Sequence, residues 1–201
     1  PAPELAEPYQ GSVASLAQRC VGIQSPGTGL WLRYEENPGW ADGLPSYSFS
    51  GESATSASLF YMKPSRHQHF LLRDASSRYL GASVTTIVRA AESANDRTEW
   101  TLESTGEGYA LYNAQTGLQL AHRIRNGELY FTSALDLLSL NKETTLNFVE
   151  LEGCADFPEV AVNAYGDRDA LKGNVDLPVR GYIDAHTHIS SYEFMGGKFM
   201  A

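Results

Sequence analysis

The stretch GIQSPGTGLWL at residues 22–32 decides the fold, because it recurs as FLLRDASSRYL at 70–80 and ALYNAQTGLQL at 110–120. Each copy runs from a short apolar stretch through a turn rich in Ser, Asp, Asn, Thr and Gly back to an aliphatic residue, which is a hairpin pattern. Pairing Ile23 with Leu32, Leu71 with Leu80 and Leu111 with Leu120 gives a separation of nine residues in every copy. A second element precedes each following copy, around Phe60, Trp100 and Phe148, and Gly-punctuated strands lie between, containing Phe49, Val88 and Phe131. Repeats at 19–66, 67–107 and 108–153 follow, with the length differences absorbed in YEENPGWADGLPSYS and LDLLSLNK, where surface loops tolerate them. Constant spacing within hairpins and variable spacing between them is what a shared core requires, since a one-residue slip turns buried side chains outward.

Composition agrees with an all-β domain. Of 201 residues, 42% are apolar and 11% aromatic, with 18 Gly and 9 Pro to punctuate strands. The formal charge of −9 and the lack of clustered Lys and Arg exclude a nucleic-acid surface. No run approaches the roughly 18–20 apolar residues of a membrane span. The chain starts at Pro1, the mature end left by signal cleavage or a cloning boundary, and export is the expected history.

Three such hairpin units resemble a β-trefoil, most closely its fascin-like branch, over about residues 19–153. The Gln-x-Trp triplet of the ricin-type lectin branch is absent; TEW at 98–100 is a distant echo of it. The resemblance implies a three-repeat barrel whose first strand pairs with its last. It thereby implies that Cys20, before the first strand, and Cys154, after the last, form a disulfide, which favours a secreted or cell-envelope location. Residues 1–18 are expected to form an N-terminal arm, in which SVASLAQR makes a short helix or lies along the surface, and 155–178 a linker.

In the last segment, 179–201, VRGYIDAHTHISS places His186 and His188 two residues apart, on one face of an extended strand. Imidazole suits a divalent metal. The segment GYIDAHTH resembles the first barrel strand of the amidohydrolase superfamily. That resemblance implies His186 and His188 as metal ligands, Asp184 as their supporting residue, zinc as the first choice of metal, and a missing C-terminal catalytic domain. The alternative is two histidines on an ordinary strand. A β/α barrel takes about 250 residues, so the piece seen here is expected to be inactive and to carry no catalytic residue of its own. His67, His69 and His122 fall in the trefoil, and His67 and His69 are read as hairpin-rim residues. The leading functional expectation is an accessory trefoil module of a metal-dependent hydrolase. The alternative is an independent carbohydrate-binding or protein-interaction module, using Trp31, Tyr34, Trp40 and Tyr79. The acidic loop around Trp40 is a candidate calcium or ligand loop, with a solvated surface loop as its plain reading.

Overall fold

A computed structural model of the chain describes residues 5–39, 43–66, 68–83, 87–132 and 141–157. The first repeat holds β1 (Cys20–Gln24), β2 (Trp31–Glu35), β3 (Ser46–Gly51) and β4 (Phe60–Arg66). The second holds β5 (His69–Asp74), β6 (Tyr79–Ala82), β7 (Val88–Ala91) and β8 (Glu99–Ser104). The third holds β9 (Tyr109–Asn113), β10 (Leu120–Arg123), β11 (Leu129–Phe131), the short β12 (Lys142–Glu143) and β13 (Asn147–Glu150). Antiparallel pairing runs β1–β4–β5–β8–β9, and β13 pairs with β1. Reciprocal backbone bonds of 2.9 Å between Tyr109 and Leu146 close the ring. Six strands therefore form a barrel, and the hairpins β2–β3, β6–β7 and β10–β11 cover one end, which is the β-trefoil architecture.

The interior is built from cross-strand pairs that repeat three times. Ile23 faces Phe148, Leu72 faces Met62, and Leu111 faces Leu102. All six are buried in one cluster with Leu32, Leu80 and Leu120. Burying each such side chain contributes about 1.5–3 kcal/mol, so these layers dominate the stability.

The register departs from the sequence reading in the second repeat. There the inward residue is Leu72, fully buried, and Leu71 points to the other face. The turn from Asp74 to Arg78 closes with an N–H···O bond of 2.7 Å, one residue shorter than the turns Ser25 to Leu30 and Asn113 to Leu118. The span from Leu72 to Leu80 is thus eight residues, not nine. Phe148 corresponds by pairing to Met62 and Leu102 rather than to Phe60 and Trp100, which lie opposite the turn residues Asp74 and Asn113.

The arm packs on the barrel. Ser12 caps a 3-10 turn, Val13–Leu16, and Leu16 is fully buried in the core. Tyr9 N–H donates to the Phe148 carbonyl at 2.6 Å, and the Tyr109 hydroxyl donates to the Gly11 carbonyl at 2.6 Å. Just beyond the arm the Cys20–Cys154 disulfide is formed, with its Cα atoms 5.5 Å apart. Past it, Phe157 lies on the outer face of β4 and β5, its ring 6.1 Å from that of Tyr61, 5.0 Å from the Lys63 ammonium and 5.6 Å from the Arg73 guanidinium. Among the described residues no helix is long and apolar enough to cross a membrane.

Candidate functional site

Each of the three turns that open a repeat is tied to the preceding repeat, and the three ties use different chemistry. The first turn is held by Glu143, whose carboxylate accepts from Ser25 Oγ at 2.6 Å and the Gly27 N–H at 2.7 Å and pairs with His122 Nε2 at 2.7 Å. Burial alone would raise the Glu143 pKa, but these bonds hold it below the usual carboxylate range. The third turn is held by a neutral amide, Asn113 Nδ2 donating to the Arg97 carbonyl at 2.8 Å.

The second turn is held by a charged cluster that reaches the surface. Asp74, 3% exposed, accepts at Oδ1 from the N–H groups of Ser76 and Arg78, both at 2.9 Å. At Oδ2 it accepts from Arg78 Nε at 2.8 Å and the Tyr47 hydroxyl at 3.0 Å. Burial, and then the Asp74 charge, push the Tyr47 hydroxyl far above its ordinary pKa, so it stays a donor. Two of these four bonds come from Arg78, one at each end of its stem, and its guanidinium carbon sits 3.4 Å from the Tyr34 ring centroid, a close cation–π stack.

Beside this stack lies an open cleft of about 390 Å3 between the first and second repeats, lined by Tyr34, Pro45, Ser76, Ser77, Arg78, Ala90 and Glu92. The Ala90 N–H donates to the Pro45 carbonyl at 3.0 Å, which joins β7 to the lead into β3. The cleft offers a guanidinium, two hydroxyls and an exposed carboxylate above a partly apolar floor. That set can exchange hydrogen bonds with a polyhydroxylated ligand and pack its C–H face.

Of the residues expected to bind a ligand, Tyr34 lines this cleft. Trp31 and Tyr79 are corrected: at 3% and 7% exposure they present no ring face to solvent and serve the interior. Trp40, Asp184, His186, His188 and His67 lie outside the described residues. His69 stands 3.7 Å from Glu99, which Arg66 pairs at 2.7 Å; His122 is fully buried against Phe49, ring centroids 4.2 Å apart. Among the described residues no group of three or more His, Cys, Asp and Glu is placed to hold a metal. Ser77, Arg78 and Glu92 went unnoticed in the sequence. One signal was present: the turn DASSR lacks the glycine that SPGTG and NAQTG both carry.

The comparisons agree with this architecture. The chain is similar to the Polyporus squamosus lectin solved with the epitope Neu5Acα2-6Galβ1-4GlcNAc, at 13% identity and a TM-score of 0.54 over 67% of this chain and 50% of that one. It is similar to the designed threefold-symmetric protein ThreeFoil, at 18% identity and a TM-score of 0.52 over 66% of this chain and 99% of that one. A third likeness is to a GlcNAcα1-4Gal-releasing endo-β-galactosidase from Clostridium perfringens, at 14% identity and a TM-score of 0.53 over 67% of this chain and 33% of that one. The chain thus spans 50% of the lectin and 33% of the galactosidase. At these identities the likeness establishes the β-trefoil fold. Neither a scan against protein-family models nor a search of curated proteins gives a match.

Proposed function

We propose that this β-trefoil is a carbohydrate-binding module and that the cleft between its first and second repeats is where sugar binds. The observation that carries this reading is the rigid Asp74–Arg78–Tyr34 assembly at the edge of a solvent-open cleft whose wall supplies Ser76, Ser77 and Glu92. A lectin solved with a glycan and a glycan-releasing enzyme having folds in common with this chain support the reading. Extracellular residence belongs to the same proposal, supported by the Cys20–Cys154 bridge. A glycan array probed with the 201-residue chain tests it: retention on defined glycans that Arg78→Ala weakens is the expected result. Retention on none removes the reading.

The fascin-like branch rests on the missing Gln-x-Trp triplet. The accessory role beside a metal-dependent hydrolase, with His186 and His188 holding a divalent metal, rests on the sequence GYIDAHTH alone. The coding sequence beyond Ala201 tests it. Further His and Asp codons at the ends of apolar strands support it, and a stop codon in that position ends it.

A further inference from the structure

Three turns occupy equivalent places at the start of the repeats, and each needs a residue with positive φ immediately before its closing residue. In the first and third turns that residue is glycine, Gly29 at φ 72° and Gly117 at φ 67°. In the second it is Ser77, at φ 69°. Their N–H groups make the same bond back to the first turn residue: Gly29 to Ser25 and Gly117 to Asn113, both at 2.8 Å, and Ser77 to Asp74 at 3.0 Å. An L side chain in this region costs about 1 kcal/mol relative to glycine. The strained side chain is exposed and faces the cleft, beside Arg78 and Glu92.

Ser77 is also oriented. Its Oγ accepts a hydrogen bond from Arg73 Nη2, and Arg73 is anchored from behind by donating Nη1 to the Asp156 carbonyl at 3.0 Å. With one lone pair accepting from Arg73, the Ser77 hydroxyl keeps its proton and a second lone pair for a ligand. Arg78 adds a second donor and the exposed Glu92 an acceptor. Donors and a carboxylate lining one cleft match adjacent hydroxyls, each of which donates and accepts. The cleft is lined by one charge of each sign, Arg78 and Glu92, and Arg78 is already paired with the buried Asp74, in a chain of net charge −9. An acidic sugar gains no net local attraction here and meets the Glu92 carboxylate.

We infer that the cleft selects an uncharged saccharide bearing vicinal hydroxyls, with Ser77 and Glu92 as its specificity-determining contacts. This rests on the carbohydrate reading above and narrows it.

The test uses the 201-residue chain, its Ser77→Gly and Glu92→Gln variants, and albumin conjugates of glucose, galactose, mannose and N-acetylglucosamine beside those of glucuronic acid and N-acetylneuraminic acid. The expected result is binding of at least one neutral conjugate, unchanged between about 0.1 and 1 M salt, where the screening length falls from about 10 to about 3 Å and only charged pairs weaken. Each variant is expected to weaken that binding by about tenfold, Ser77→Gly by losing one hydrogen bond and Glu92→Gln by replacing a charged acceptor with a weaker neutral one. Urea midpoints of the variants confirm that they fold, the relieved strain at position 77 and the lost Arg73 bond acting in opposite directions; if Ser77 only satisfies Arg73, Ser77→Gly leaves binding intact, which overturns the inference. Neutral binding untouched by both variants, or retention of acidic conjugates alone, also overturns it while leaving a carbohydrate module in place. Retention of no conjugate overturns both readings.

Discussion

Replacing Cys20 and Cys154 together by serine tests how the barrel is closed. The bridge joins residues 134 apart in sequence, next to the β1–β13 seam where Val21 pairs with Glu150. In the folded chain the strands already hold these ends together, so the cross-link acts mainly on the unfolded chain. Loop-closure entropy for a separation of this length is about 17 cal/mol/K, or about 5 kcal/mol at 25 °C, the upper end of what disulfides deliver. The Arg19–Glu150 ion pair at the same seam is solvent-exposed on both sides and offsets little of the loss. Urea unfolding followed by tryptophan fluorescence is the assay, with oxidised wild type as reference. The double variant is expected to lose about 3–5 kcal/mol, to show a larger m-value as its unfolded chain expands, and to melt about 10–20 °C lower. A loss under about 1 kcal/mol with m unchanged would refute the reasoning, because the unfolded ends would then be held close by something other than sulfur.

Leu16→Ala removes the fully buried side chain that the arm inserts into the core and should cost about 2–5 kcal/mol by the same assay. Gly127→Ala and Gly117→Ala form a matched pair: both positions have positive φ, but a Cβ at 127 would stand 2.3 Å from the Phe49 carbonyl oxygen, whereas one at 117 meets nothing within 4 Å. The first should cost about 2–4 kcal/mol and the second about 1 kcal/mol, so equal losses would count against the tight contact. Glu143 has a folded pKa below its unfolded value, so its stabilisation is complete above roughly pH 4.3 and fades as pH falls through the folded pKa. The stability gap between wild type and Glu143→Gln, read from urea midpoints, should therefore be widest near neutrality and close in acid; a gap constant with pH would show that the charge is not what Glu143 contributes.

Much of the scaffold was legible because turns and alternating strands leave local marks. The hairpins around 25–30, 74–78 and 113–118 carry their turn residues in the sequence, and Ile23, Leu32, Leu80, Leu111 and Leu120 all reach the core. The slip at Leu71 has a clear cause. The run FLL at 70–72 is apolar on both faces, since Phe70 and Leu72 face the interior while Leu71 and Arg73 share the outer face with Tyr61 and Lys63, where Phe157 lies. With both faces apolar, hydrophobic pattern cannot choose a register. Trp31 and Tyr79 illustrate the same limit for the site. An aromatic next to a turn reads alike whether its ring faces solvent or the interior.

By itself the sequence determined the triplication, the all-β class and, through the family it resembles, the pairing of Cys20 with Cys154. The triplication and the class follow from spacing along one chain, where period and turn chemistry act locally, and the cysteine pairing from the resemblance alone. The tertiary structure decided the cleft, because Tyr34, Pro45, Ser77, Arg78 and Glu92 come from two repeats and meet only when the barrel closes. It also decided the roles of Asp74, whose four bonds join both repeats, and of Ser77, whose φ is a property of the closed turn. Contacts between distant residues and strained dihedrals are set by packing, and packing has no one-dimensional period to read.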